Sequence, residues 1–166
     1  APSRSRRIIL ASCKNYPQVL YCQLTDNNGT ALQGQYKSSD RGQTWTSFDG
    51  PDDIVGYNQA WYDLVLEVHP EDSNFLFAGG VRTAYSTNGG ETWQAASVGH
   101  VDIHSLIWKE NNTKFWVGSD GGLHEYNVSS PAGRIVSKNN GYNVTQFYAG
   151  HFFPEALHTI GGTQDN

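Results

Sequence analysis

One octapeptide occurs twice in this chain, and it constrains the fold more than any other feature. S-S-D-R-G-Q-T-W at Ser38–Trp45 and S-T-N-G-G-E-T-W at Ser86–Trp93 share the pattern S-x-[DN]-x-G-x-T-W. Chance rarely places five matching positions twice in 166 residues. The segments upstream align as well. Ala11–Tyr21 matches Glu67–Phe77, then Ile107–Val117 and, more loosely, Phe152–Ile160. Each is an apolar strand, a polar turn and a second apolar strand. The second strands begin near Val19, Phe75, Phe115 and His158, spaced 56, 40 and 43 residues apart.

Units of about 40–50 residues with four short strands are the signature of propeller blades. The chain is therefore expected to be all-β, a β-propeller of four-stranded antiparallel blades, in one partial domain over residues 1–166. Blade one is Arg7–Cys13, Val19–Leu24, Gly34–Ser38 and Thr44–Phe48. Blade two is Asp63–His69, Phe75–Ala78, Thr83–Ser86 and Thr92–Ala96. Blade three is Asp102–Lys109, Phe115–Gly118, Leu123–Asn127 and Arg134–Ser137. A half-blade follows at Gln146–Phe153 and His158–Gly162. Three and a half blades do not close a ring, which takes four to eight. The chain is expected to be a fragment, or to associate with the rest of its ring or with itself. An open β-sandwich is the alternative if the repeats are unrelated hairpins.

Composition narrows the chemistry. Charged residues are 16% of the chain, aromatics 13%, and the net charge is -5. That balance carries no basic field for nucleic acid. No apolar run approaches the roughly 20 residues of a membrane-spanning helix. Gly, Asn, Ser, Thr and Trp suit short strands and tight turns, and no window has helical periodicity. Ala1–Arg7 lacks the apolar stretch of a signal peptide. Either a leader has been removed or the chain is part of a longer protein. Arg4, Arg6 and Arg7 read as a solvated basic end.

Cys13 and Cys22 are the only cysteines. If Arg7–Cys13 and Val19–Leu24 form a hairpin whose paired positions sum to 35, the two face each other and can form a cross-strand disulfide. Two buried, small apolar residues account for them equally well. N-x-[ST] sequons at Asn28, Asn111, Asn127 and Asn143 are possible glycosylation sites.

The octapeptides resemble Asp-boxes, or BNR repeats, which occur in sialidases, xyloglucan-active endoglucanases and sortilin-type receptors. The matching residues are Ser38, Asp40, Gly42, Thr44 and Trp45, then Ser86, Gly90, Thr92 and Trp93, with Asn88 replacing the Asp. Most of the rest resembles secreted bacterial repeat proteins labelled glycosyl hydrolase-like or sialidase-like. That likeness rests on Gln59–Leu64, His100–His104, Gly118–Leu123, Asn139–Tyr148 and Gly161–Asn166. It implies a secreted or cell-surface module, and boxes placed at the turn between a blade's third and fourth strands. In such a turn Ser and Asp bond backbone groups, Gly supplies a positive φ and Trp packs on the next hairpin. Asp40 and Asn88 are therefore structural.

In a propeller, the loops leading into first strands and out of second strands converge on one face of the channel, where a ligand is expected. Asp63, Asp102 and Gln146 open innermost strands; Asp26, Asp120, Gln164 and Asp165 follow second strands. Trp61, Tyr62, His100, His104 and Tyr148 join them.

Carbohydrate binding is the first reading: aromatic faces stack on sugar rings while polar groups take hydroxyls. Glycoside hydrolysis is the second, with Asp63, Asp102 and Asp120 as candidate carboxyls. It needs a pair about 5–5.5 Å apart for retention or 6.5–9.5 Å for inversion. A sialidase needs an arginine cluster, and only Arg82 lies near this face. A metal held by His100, Asp102 and His104, alternating along an extended segment, is the weakest of these. Bonding to neighbouring loops, without function, explains the same residues. A structural or adhesive surface protein binding other proteins through these loops is a further alternative. Neither cofactor nor resident metal is expected. Trp108, Trp116, Tyr85 and Phe77 read as core, and His151 and His158 have no evident partner.

Overall fold

A computed structural model describes residues 4–51, 54, 58–110, 112–129, 134–141, 147–152 and 159–163. Fourteen strands form three four-stranded antiparallel sheets and one hairpin, with no helix among the described residues. Blade one is β1 (Ile8–Ser12), β2 (Leu20–Thr25), β3 (Leu32–Ser38) and β4 (Thr46–Phe48). Blade two is β5 (Val65–Val68), β6 (Leu76–Gly79), β7 (Thr83–Ser86) and β8 (Gln94–Ala96). Blade three is β9 (Ile103–Trp108), β10 (Lys114–Ser119), β11 (Gly122–Asn127) and β12 (Arg134–Ser137). The hairpin is β13 (Phe147–Phe152) and β14 (Thr159–Thr163).

The strands in each blade pair in sequence order, and the first strands of successive blades stand side by side, β1 by β5 and β5 by β9. This is the β-propeller arrangement, in part. The core lies between blades because a two-residue period sends alternate side chains to opposite sides of a sheet. From β6, Leu76 and Ala78 join Tyr21, Val19, Leu66 and Val68 in the seam between blades one and two. Phe77 goes the other way, to Ile103, Leu106, Phe115, Val117 and Tyr126 in the seam between blades two and three. Every residue of β6 is consequently buried.

Polar pins cross both seams. The Tyr21 hydroxyl donates to Ser73 O (2.8 Å) and the Asn15 amide to Pro70 O (2.9 Å). His69 Nδ1 accepts the Glu71 amide (3.1 Å), so Nε2 carries the hydrogen given to Asn112 O (2.7 Å).

The outer sides of blades one and three differ. On blade one, Ile8 and Leu10 point away from the first seam and are 59% and 66% exposed. On blade three, Glu125 is clamped by Lys109 (2.6 Å) and Lys114 (3.0 Å), and Lys109 and Lys138 lie over the Trp116 ring.

Three expectations are corrected. The strands β4, β5, β8 and β9 begin later than expected, because Thr44–Trp45, Asp63–Leu64, Thr92–Trp93 and Asp102 belong to the connections that lead into them. The β1–β2 register is also shifted. Leu10 pairs with Cys22, three residues from Cys13, because the intervening turn is tight: Tyr16 N bonds Cys13 O and Val19 N bonds Tyr16 O. The disulfide is therefore absent, and both thiols are free and buried. Cys13 Sγ donates instead to His69 O and Pro70 O across the seam.

The two octapeptides fold alike, at the turns β3–β4 and β7–β8. Ser38 Oγ donates to Asp40 Oδ1 (2.7 Å) and accepts the amides of Asp40 (3.3 Å) and Gly42 (2.8 Å). Ser86 Oγ makes the same bonds to Asn88 Oδ1 and to the amides of Asn88 and Gly90. Trp45 and Trp93 each donate Nε1–H to the carbonyl of the box glycine, Gly42 and Gly90. Those glycines have φ of 85° and 96°, a conformation costly for other residues. Ser38 is 1% exposed, so Ser38→Ala removes the buried acceptor of two turn amides. We expect a loss of about 1–3 kcal/mol in urea denaturation, with no change in far-ultraviolet dichroism at zero urea.

Candidate functional site

The loops that converge at one end of the first three blades form a small polar mouth beside an aromatic shelf. The shelf comes from the turn before β5. Tyr62 N and Asp63 N both bond Gln59 O (2.8 and 3.2 Å), a tight turn that drives the Asp63 side chain inward. Trp61 and Tyr62 are left outside, 50% and 38% exposed, with ring centroids 5.3 Å apart. Gly29 lies directly behind: a Cβ there would stand 2.6 Å from Trp61 Cβ, so only glycine lets the β2–β3 turn back the shelf. Arg6 lays its guanidinium over the Trp61 ring, 5.7 Å from the centroid. Arg7 donates Nη1–H to Tyr62 O.

Blade three supplies the facing wall. The Tyr62 ring meets the edge of His104 at 4.9 Å, and His104 Nε2 is 2.7 Å from Asp120 Oδ1. His104 owes this direction to an irregularity in β9, where Ser119 pairs with Ile103 but Gly118 pairs with Ser105. Ahead of β9, Asp102 has φ of 57°; its amide reaches Val81 O (3.3 Å) and its carbonyl takes the Asp120 amide (3.2 Å).

Asp63 and Asp102 meet at the seam of blades two and three. Gln59 Nε2 lies 3.4 Å from Asp63 Oδ2 and from Asp102 Oδ1, bridging the two. Asp63 is 1% exposed, and its Oδ1 has no hydrogen-bond partner among the described residues. Burial, then contact with the Asp102 carboxyl, raises the Asp63 carboxyl to about 6. Arg7 is close enough to Asp63 for the two charges to attract, while partial burial lowers the guanidinium.

The other candidates divide. Asp26 closes its own turn, accepting the amides of Thr30 and Ala31 and the Thr30 hydroxyl, which holds its carboxyl low. His100 bonds Val101 O through Nδ1 and covers Gly121. The alternation that would aim His100, Asp102 and His104 together is thus broken. Among the described residues no three His, Cys, Asp or Glu side chains form a metal-binding group. A cavity of about 400 Å³ lies alongside, lined by Val81, Arg82 and Thr83 and by residues 95–101. Gln146, Gln164 and Asp165 lie outside the described residues, as do Asn111 and Asn143, and Tyr148 and His151 are described in backbone only.

The basic end is exposed at Arg4 and Arg6, as expected, but Arg7 is half-buried, and Arg6 and Arg7 both contact the mouth. Sequence reasoning missed them, and it saw Gln59 only within a resemblance. A positional signal was available. Arg7, Asp63 and Asp102 stand at or just ahead of the innermost strand in three successive blades.

No protein-family model matches the chain, and no curated protein matches it. Among solved structures, it is similar to the GH74 enzyme of Niastella koreensis, with a TM-score of 0.58 and 20% identity over 80% of this chain and 23% of that one. It is similar also to YCF48 bound to D1 peptide, with a TM-score of 0.51 and 10% identity over 87% of this chain and 43% of that one. The chain thus spans about a quarter of the first protein and under half of the second. At these identities the likeness speaks to fold, and both neighbours are β-propellers.

Proposed function

We propose that the chain is part of a carbohydrate-binding propeller module, with the sugar resting on Trp61 and Tyr62. The exposed pair of adjacent aromatic rings carries this reading. Two such partly exposed rings beside hydrogen-bonding groups match what a sugar presents, apolar C–H faces ringed by hydroxyls. Asp120, oriented by His104, and the half-buried Asp102 take hydroxyls at the facing wall. The octapeptides, read as Asp-boxes, and the GH74 neighbour agree with a carbohydrate role. The module is proposed to be secreted or displayed at the cell surface. Two free thiols do not argue for that, and the proposal rests on the resemblance of the repeats.

Hydrolysis is less well supported. A carboxyl pair in contact cannot flank a glycosidic bond, and Asp63 is too deeply buried to reach one. Asp102 and Asp120 are the carboxyls left for that role.

A glycan array followed by titration calorimetry tests the reading. Trp61→Ala is expected to weaken binding at least about tenfold, or about 1.4 kcal/mol, without altering the thermal midpoint. Binding unchanged in that variant, or no bound glycan at all, would sink it. Release of reducing sugar that stops in Asp102→Asn would move the assignment to an enzyme.

A further inference from the structure

We propose that the seam between blades two and three is a proton latch: one proton held between Asp63 and Asp102 closes it, and two charged carboxylates loosen it. The inference rests on the carbohydrate reading only for its consequence, which is to set the distance between the Trp61–Tyr62 shelf and the His104–Asp120 wall.

The geometry argues for it in three steps. The two carboxyls belong to different blades, each beside a residue of the mouth: Asp63 follows Tyr62, and Asp102 lies two residues before His104. Gln59 bridges them, yet its amide gives hydrogen to one oxygen of each and leaves Asp63 Oδ1 buried without a partner. A proton on Asp63 supplies the missing bond, donating O–H to the Asp102 carboxylate. Without it, two like charges touch where little water can screen them.

The surrounding charges set how far the seam moves. From blade one, Arg7 attracts ionised Asp63 and limits the opening. From blade three, the His104–Asp120 pair, 2.7 Å apart, borders the mouth. On β5, burial raises Glu67 to about 7, so it also titrates nearby and needs its own control.

The sign follows from linkage. The folded chain binds the Asp63 proton more tightly than the unfolded one, with 3.8 raised to about 6. Stability from this group is full below pH 3.8 and is lost as pH rises through about 6.

Hydrogen exchange, corrected for intrinsic rates, tests the latch at the amides of Asp102, Ile103 and Asp120, which bond Val81 O, Gly80 O and Asp102 O. Their protection is expected to fall about tenfold between pH 5 and pH 8. Asp63→Asn is expected to hold it constant, and Asp102→Asn to do the same should the first variant fold poorly. Glu67→Gln should leave the fall in place. Flat protection in the unmodified chain, or the same fall in both Asn variants, would overturn the latch. The glycan array, read at the same two pH values, is expected to show weaker binding at pH 8. Equal binding at both, with responding amides, would overturn the coupling to the shelf. No bound glycan at either, with responding amides, would remove the carbohydrate reading and leave the latch standing.

Discussion

Phe77→Ala is expected to lower the unfolding free energy by about 3–5 kcal/mol, read as an earlier urea midpoint at unchanged slope. Phe77 is 1% exposed and sits where blades two and three meet. Its ring lies edge-on to Phe115 at 4.8 Å, tilted to Tyr126 at 5.6 Å and parallel to Tyr85 at 6.5 Å. The void left by the ring has no easy way to fill. Phe77 is paired on both sides, with Glu67 and Tyr85, so β6 cannot shift, while Phe115 and Tyr126 are stacked on each other at 5.0 Å. Phe77→Leu keeps much of the volume and should cost about half as much. A loss below about 1 kcal/mol for the alanine variant would show that this seam is not close-packed.

The second large effect is expected from a single methyl group. In Gly80→Ala the new Cβ would stand 2.7 Å from Ile54 O and 2.9 Å from Asp63 O. Both are backbone atoms, so no side chain can turn aside. The residue is also a junction: its amide bonds Arg82 O (2.8 Å), its carbonyl takes the Ile103 amide (2.8 Å), and Arg82 N bonds Ile54 O (2.9 Å). Moving Gly80 therefore disturbs the entry to β5, the β6–β7 turn and the start of β9 together. We expect a cost of about 3 kcal/mol or more, at the upper end for overpacking, together with loss of any binding at the shelf. Stability within about 1 kcal/mol of the parent chain would mean that these loops yield freely and that Gly80 does not tie them together.

Much of the fold was legible because the repeated octapeptide marks the same turn twice, and two-residue alternation marks the strands between. The register of the first hairpin was not legible. One tight turn between Cys13 and Val19 slides the first hairpin by three residues and parts two cysteines that a looser turn would have joined. The mouth was legible in position more than in role. Asp63 and Asp102 were adjacent by repeat position alone, but which would be buried depended on the Gln59 turn. Arg7 escaped notice because it occupies the corresponding place with the opposite charge. The direction of His104 was hidden because one irregular pair in β9 reverses the side on which a residue emerges. Asp26 looked equivalent to Asp120 by place, yet Thr30 four residues on consumes its carboxylate.

The near-identity of the two octapeptide turns hides a difference in how they meet acid. In blade one the Thr44 hydroxyl donates to Asp40 Oδ2 (2.6 Å), and these bonds hold the Asp40 carboxyl at about 2. In blade two the direction is reversed, with Asn88 Nδ2 donating to the Thr92 hydroxyl (2.9 Å). The stabilisation from Asp40 is complete above pH 3.8 and drains away as pH falls toward about 2, whereas an amide has no proton to gain there. One outer hairpin is thus built around an ionisable hinge-pin and its twin around an inert one. Strong acid should fray the chain from blade one while the corresponding corner of blade two stays shut.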